Sequence, residues 1–148
     1  MTEIYLHIVA RMVTAGAIFP FSWLLRTDSE TIGPRLVVTG AWAIGSAVKL
    51  DPVVQDNALD AAVMPALIKL LSSGADASGP SRSASTRTKA IFALGHLLRS
   101  NRRAQRLFAT HDGPRLLLAE LRPDGGAAEQ RPTIGLTKKI LVLRSVSI

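Results

Sequence analysis

Two stretches of this chain repeat each other at a spacing of fifty residues. AWAIGSAVKLDPVVQ (41–55) and IFALGHLLRSNRRAQ (91–105) align without a gap. Ala43 falls on Ala93, Gly45 on Gly95 and Gln55 on Gln105. Trp42 falls on Phe92, Ile44 on Leu94, Val48 on Leu98 and Asp51 on Asn101. A second element recurs as well: AGAIFPFSWLL (15–25) aligns with AAVMPALIKLL (61–71), and HDGPRLLLAEL (111–121) is a looser third copy. A chain made of copies of one small unit cannot bury its apolar faces within one copy. It must stack the copies against each other.

Hydrophobic spacing says what the unit is. Leu36, Val37, Gly40, Ala41, Ile44 and Val48 follow a helical i, i+3, i+4 rhythm, as do Ile91, Leu94, Gly95 and Leu98. The small pairs Ala43/Gly45 and Ala93/Gly95 allow close helix contact. Asp51-Pro52 reads as a helix cap followed by a first-turn proline, and Asn101 is the equivalent cap. Phe108 reads as the core anchor of a short helix, and Gly113-Pro114 as a turn and restart.

The spacing predicts helices at 4–14, 17–26 and 35–49, then 51–60, 63–72 and 86–99, then 101–111, 114–122 and 133–146. Three helices in about 40–47 residues is the armadillo or HEAT pattern. The expected fold is all-α: a right-handed superhelical solenoid of about three armadillo-like repeats, forming a single domain over 1–148. The Ser/Gly-rich stretch 72–85 interrupts the second repeat as a flexible insertion. RPDGGAAEQRP (122–132) occupies the same place in the third.

Composition narrows the function. A chain of 148 residues with 47% apolar content can build one real core. It has no Cys, which excludes disulfides and thiolate metal sites. A net charge of +7 favours an acidic protein face, nucleic acid or an anionic membrane surface as partner. Residues 4–25 are apolar, but His7, Arg11 and Pro20 interrupt them, so no membrane span is expected. Acidic Glu3 and late Arg11 argue against a signal peptide.

The sequence carries no recognised catalytic pattern. His7, His96 and His111 have no metal-ligand spacing, and the chain holds no HExxH, GxSxG or P-loop motif. The expectation is a protein without catalytic residues, metal or cofactor. The basic cluster Arg99, Arg102, Arg103 and Arg106 raises nucleic acid as a reading, but Phe108 is its only aromatic neighbour.

TKAIFALGHLLRSNRRAQRLFATHDGPRLLLAEL (88–121) and AWAIGSAVKLDPVVQDNAL (41–59) together resemble the armadillo-repeat nucleotide exchange factors of heat-shock protein 70 chaperones. That group includes the endoplasmic-reticulum exchange factor for BiP and its cytosolic relatives. The likeness covers roughly 18–121; the chain departs from the family in its serine-rich insertion and in ending LTKKILVLRSVSI. The resemblance implies a monomer that grips the chaperone's nucleotide-binding domain and promotes ADP release. It implies a groove lined by the third helices, with Trp42 and Ser46 in one repeat and Phe92 and His96 in the next. Lys49 and Arg99 would rim the groove, and Lys89 would share the face of Phe92. The implied compartment is the endoplasmic-reticulum lumen, with the cytoplasm as alternative. Two other readings stay open: an armadillo scaffold for an extended peptide, and a basic nucleic-acid binder.

Overall fold

The computed structural model describes residue 4 and residues 11–12, 15–27, 33–49, 51–72 and 84–120. The expected helix at 133–146, most of that at 4–14 and the body of the 72–85 insertion lie outside these residues. The described part is helical, with no strand: α1 (Ile18–Arg26), α2 (Pro34–Ala47), α3 (Pro52–Asp60), α4 (Val63–Ser72), α5 (Ala84–Leu98), α6 (Arg102–Thr110) and α7 (Gly113–Glu120). Ser72 closes α4 and residues 84–85 already belong to α5, so the insertion is shorter than the sequence suggests.

Capping chemistry sets the boundaries. The Asp51 carboxylate accepts from the backbone N–H of Val53 (2.8 Å) and of Val54 (3.4 Å), satisfying two donors that open α3. Fifty residues on, the Asn101 side-chain oxygen accepts from Ala104 N–H at 2.9 Å and opens α6. The turns between first and second helices repeat too. Gly16, Ala62 and Asp112 occupy the same place in three copies, and all have positive φ, at 78°, 57° and 61°. Only the first is the residue type that takes this conformation freely.

The helices form two layers. α1, α4 and α7, the second helices of successive units, pack in sequence. α2 and α5, the third helices, make the most extensive helix pair among the described residues, and α3 and α6 lie against the α4 side. Ile44, Val48, Val54, Met64, Leu67, Ile91, Leu94, Leu97, Phe108 and Leu117 fill the space between layers. Leu36 departs from the predicted core stripe: it is 49% exposed, whereas Thr86, its counterpart one unit later, is fully buried. The reason is position, because α5 lies against α2, while no described third helix precedes α2.

Two devices lock α2 to α5. A Cβ on Gly45 would stand 2.7 Å from the Phe92 ring and 3.0 Å from the Ala93 Cα, so the helices approach where no side chain fits. Beside this crossing, the Gln55 amide donates to the carbonyls of Val48 (3.2 Å) and His96 (3.0 Å). These carbonyls lie in the last turns of α2 and α5, where intrahelical partners run out. The Gln55 oxygen in turn accepts from Asn101 Nδ2 at 3.2 Å. Gln105 repeats the motif by donating to the Leu98 carbonyl at 3.0 Å.

Gly45→Ala is expected to destabilise the chain by about 1–2 kcal/mol, because overpacking outweighs the roughly 1 kcal/mol helix-propensity gain of alanine. A double-mutant cycle with Phe92→Leu in urea unfolding should show coupling above about 0.5 kcal/mol; additivity would mean the ring is not the obstacle. Gln55→Leu leaves two buried-end carbonyls without their donor and should cost about 1–3 kcal/mol. Exposed Asn57→Ala, measured alongside, should stay within about 0.5 kcal/mol of the parent.

Candidate functional site

The candidate residues sit on the α2–α5 pair. Trp42, Ser46 and Lys49 stand at i, i+4 and i+7 on α2 and the turn that follows it, one stripe of the helix. Lys89, Phe92, His96 and Arg99 form the matching stripe on α5 and just beyond its end. The opposite faces carry buried Ile44, Val48, Leu94 and Leu98, so the core side of each helix is already filled.

The structure brings four of the seven together. The Phe92 ring lies against Gly45 across the helix crossing. His96 meets Phe92 edge-on, with ring centroids 4.7 Å apart and planes at 84°. Lys49 and Arg99 are exposed, and both are close enough to act on the His96 ring. Trp42 is 51% exposed. Phe92, Ser46 and Lys89 are partly buried.

Electrostatics follow from this grouping. Burial pushes the His96 imidazole below its ordinary value, because a charged ring loses solvation there; Lys49 and then Arg99 push it further down by like-charge repulsion. At neutral pH the site therefore presents a neutral imidazole between two cations. The apolar centre is the Phe92 ring, and the rim is positive.

The arginine cluster of α6 is divided. Arg103 Nη2 pairs with Asp60 of α3 at 2.6 Å. Arg102 and Arg106 remain exposed, and Arg99 belongs with His96. Among the described residues no group of three or more His, Asp or Glu is placed to hold a metal ion, and no helix is long and apolar enough to cross a membrane.

Sequence reasoning missed several contacts. Phe92 and His96 stand four residues apart, so their stacking was open to helical periodicity. The recurrence of Gln55 at Gln105 was visible, but its carbonyl targets were not. Arg87 pairs with Glu120 at 3.4 Å across more than thirty residues, with no local sign in the sequence. Burial raises the Glu120 carboxyl, while Arg87 opposes the shift.

The His96 shift has a sign that can be checked. The folded-state value is lowered, so the unfolded chain takes up this proton first as pH falls. Stability is full above the ordinary histidine range and declines as pH drops through about 6.5. Melting curves at pH 7 and pH 5 should show a smaller loss for His96→Gln than for the parent protein. An equal loss would show that His96 is not among the groups responsible.

No curated protein matches the chain in a sequence comparison. The family described as SIL1/FES1/HPBP1 C-terminal domain matches over residues 24–145, most of the chain. That span takes in the α2–α5 pair and all seven residues of the candidate site. The chain belongs to the SIL1/FES1/HPBP1 C-terminal domain family, whose members are nucleotide exchange factors of Hsp70 chaperones.

Proposed function

We propose that this chain is a co-chaperone that binds the nucleotide-binding domain of an Hsp70 chaperone through the α2–α5 face and speeds the release of ADP. The observation that carries the reading is the α2–α5 stripe itself. Trp42 and Phe92 supply aromatic anchors, and Lys49 and Arg99 supply a positive rim, on the helix pair within the family match. Exposed aromatics and arginine are the usual anchors of protein interfaces. A positive rim suits an acidic partner surface and favours fast encounter.

The fold proposed to present this face is a right-handed solenoid of armadillo-like repeats. The layered order of α1, α4 and α7 against α2 and α5, and the matched caps at Asp51 and Asn101, support it. Exchange in this reading needs no catalytic group, metal or cofactor. The protein binds the open, ADP-free conformation of the chaperone more tightly than the closed one, and that difference drives release. The proposed partner is BiP and the proposed compartment the endoplasmic-reticulum lumen, with a cytosolic chaperone and the cytoplasm as the alternative.

The test is release of a fluorescent ADP analogue from BiP and from a cytosolic Hsp70, side by side, with increasing amounts of the protein. Faster release from BiP supports the full reading, and a preference for the cytosolic chaperone moves the compartment. No effect on either overturns the exchange function. Trp42→Ala should weaken chaperone binding roughly 30-fold, the effect of losing one exposed interface anchor. Lys49→Glu with Arg99→Glu should slow association, and the parent's association should fall with added salt.

A further inference from the structure

The apolar surface of this protein is unevenly distributed. Ile4, Met12, Phe19, Trp23, Leu36 and Trp42 are six of its eight exposed large apolar side chains among the described residues, and all precede α3. The same stretch is basic. Arg11, Arg26, Arg35 and Lys49 are exposed, and no described residue from 4 to 49 is acidic. The two acids of that stretch of sequence, Asp28 and Glu30, lie outside the described residues.

The centre of this region is α1. Phe19 is 61% exposed and Trp23 55% exposed, one turn apart on the same face. Arg26 continues that stripe at the helix end. The buried face of α1 carries Ile18, Ser22 and Leu25. Leu24 and Leu25 pack against α2 at Gly40. Leu36 stands one turn before Gly40, on the side of α2 that meets α1, next to exposed Arg35. None of the seven candidate groove residues is needed for this patch.

We propose that the α1 face, Phe19 and Trp23 with Arg26, Leu36 and Arg35, is a docking surface for an anionic phospholipid membrane. Aromatic rings on one exposed helix face, flanked by arginines, match the layered chemistry of a bilayer interface. Tryptophan and phenylalanine settle at the headgroup boundary, and arginines pair with anionic headgroups. A second copy of this chain is the competing occupant, and the test below separates the two. The contact is peripheral, since no described helix spans a bilayer.

The test uses the whole chain with Trp42→Phe, which leaves Trp23 as its sole tryptophan. Phosphatidylserine-containing phosphatidylcholine vesicles should shift the Trp23 emission to the blue and carry the protein into the pellet. Pure phosphatidylcholine vesicles should do neither. Arg26→Gln with Arg35→Gln should weaken pelleting roughly tenfold or more. Trp23→Ser in the unaltered chain should abolish it, with the urea midpoint confirming that each variant folds. Equal binding to both vesicle types, no binding, or variants that pellet like the parent would overturn the proposal. So would a parent dimer in sedimentation velocity that Trp23→Ser converts to monomer, because the face would then be a self-association surface.

Discussion

Where α2 crosses α5, Gly45 leaves room only for the Phe92 ring, and the rest of the structure is arranged around that closeness. The C-terminal ends of the two helices, where carbonyls lack partners of their own, lie within reach of one side chain. Gln55 reaches both sets at once, binding Val48 and His96 carbonyls. Asn101 then ties Gln55 to the start of α6 while its own oxygen caps that helix. Packing brings the helix ends together, and the amide network fixes their register. Each would be weaker alone: a crossing without the network can slide, and a buried network without tight packing admits water.

Equivalent positions in a stack need not share a fate. Phe92 is partly buried because α2 lies in front of it with Gly45 at the point of contact. Trp42 holds the same place one unit earlier and is half exposed, since no third helix precedes α2 among the described residues. Leu36 and Thr86 differ for the same reason. A repeat pattern reports which face a residue occupies, while its burial depends on whether a neighbour exists on that side.

The sequence carried the fold further than it carried the site. Seven described helices fall within about two residues of the predicted spans, because long periodic segments and cap residues are local signals. Phe108, Asp51 and Asn101 take the roles their types implied. Ala62 and Asp112 were not legible as left-handed turns, since neither is a glycine; the stack imposes that conformation on them. Leu36 misled for the opposite reason, having the right spacing for a core residue but no neighbour to cover it. In the site, the family resemblance grouped Phe92 with His96 and Trp42 with Ser46. The convergence of Lys49 and Arg99 on one imidazole depends on how α2 and α5 cross, which no local pattern encodes.

His96 joins these threads. Its backbone carbonyl belongs to the Gln55 network, and its ring belongs to the candidate binding face, edge-on to Phe92. A protein that acts by preferring one conformation of its partner gains nothing from a face that bends to fit either. Its affinity for the two conformations must differ, and that difference survives only if the face resists deformation. Here the stiff element and the contact element meet in a single residue. The ring that flanks the positive rim is mounted on a backbone segment that Gln55 holds against the neighbouring repeat. In the proposed function, rigidity at the α2–α5 crossing is therefore a condition for selective binding as well as for stability.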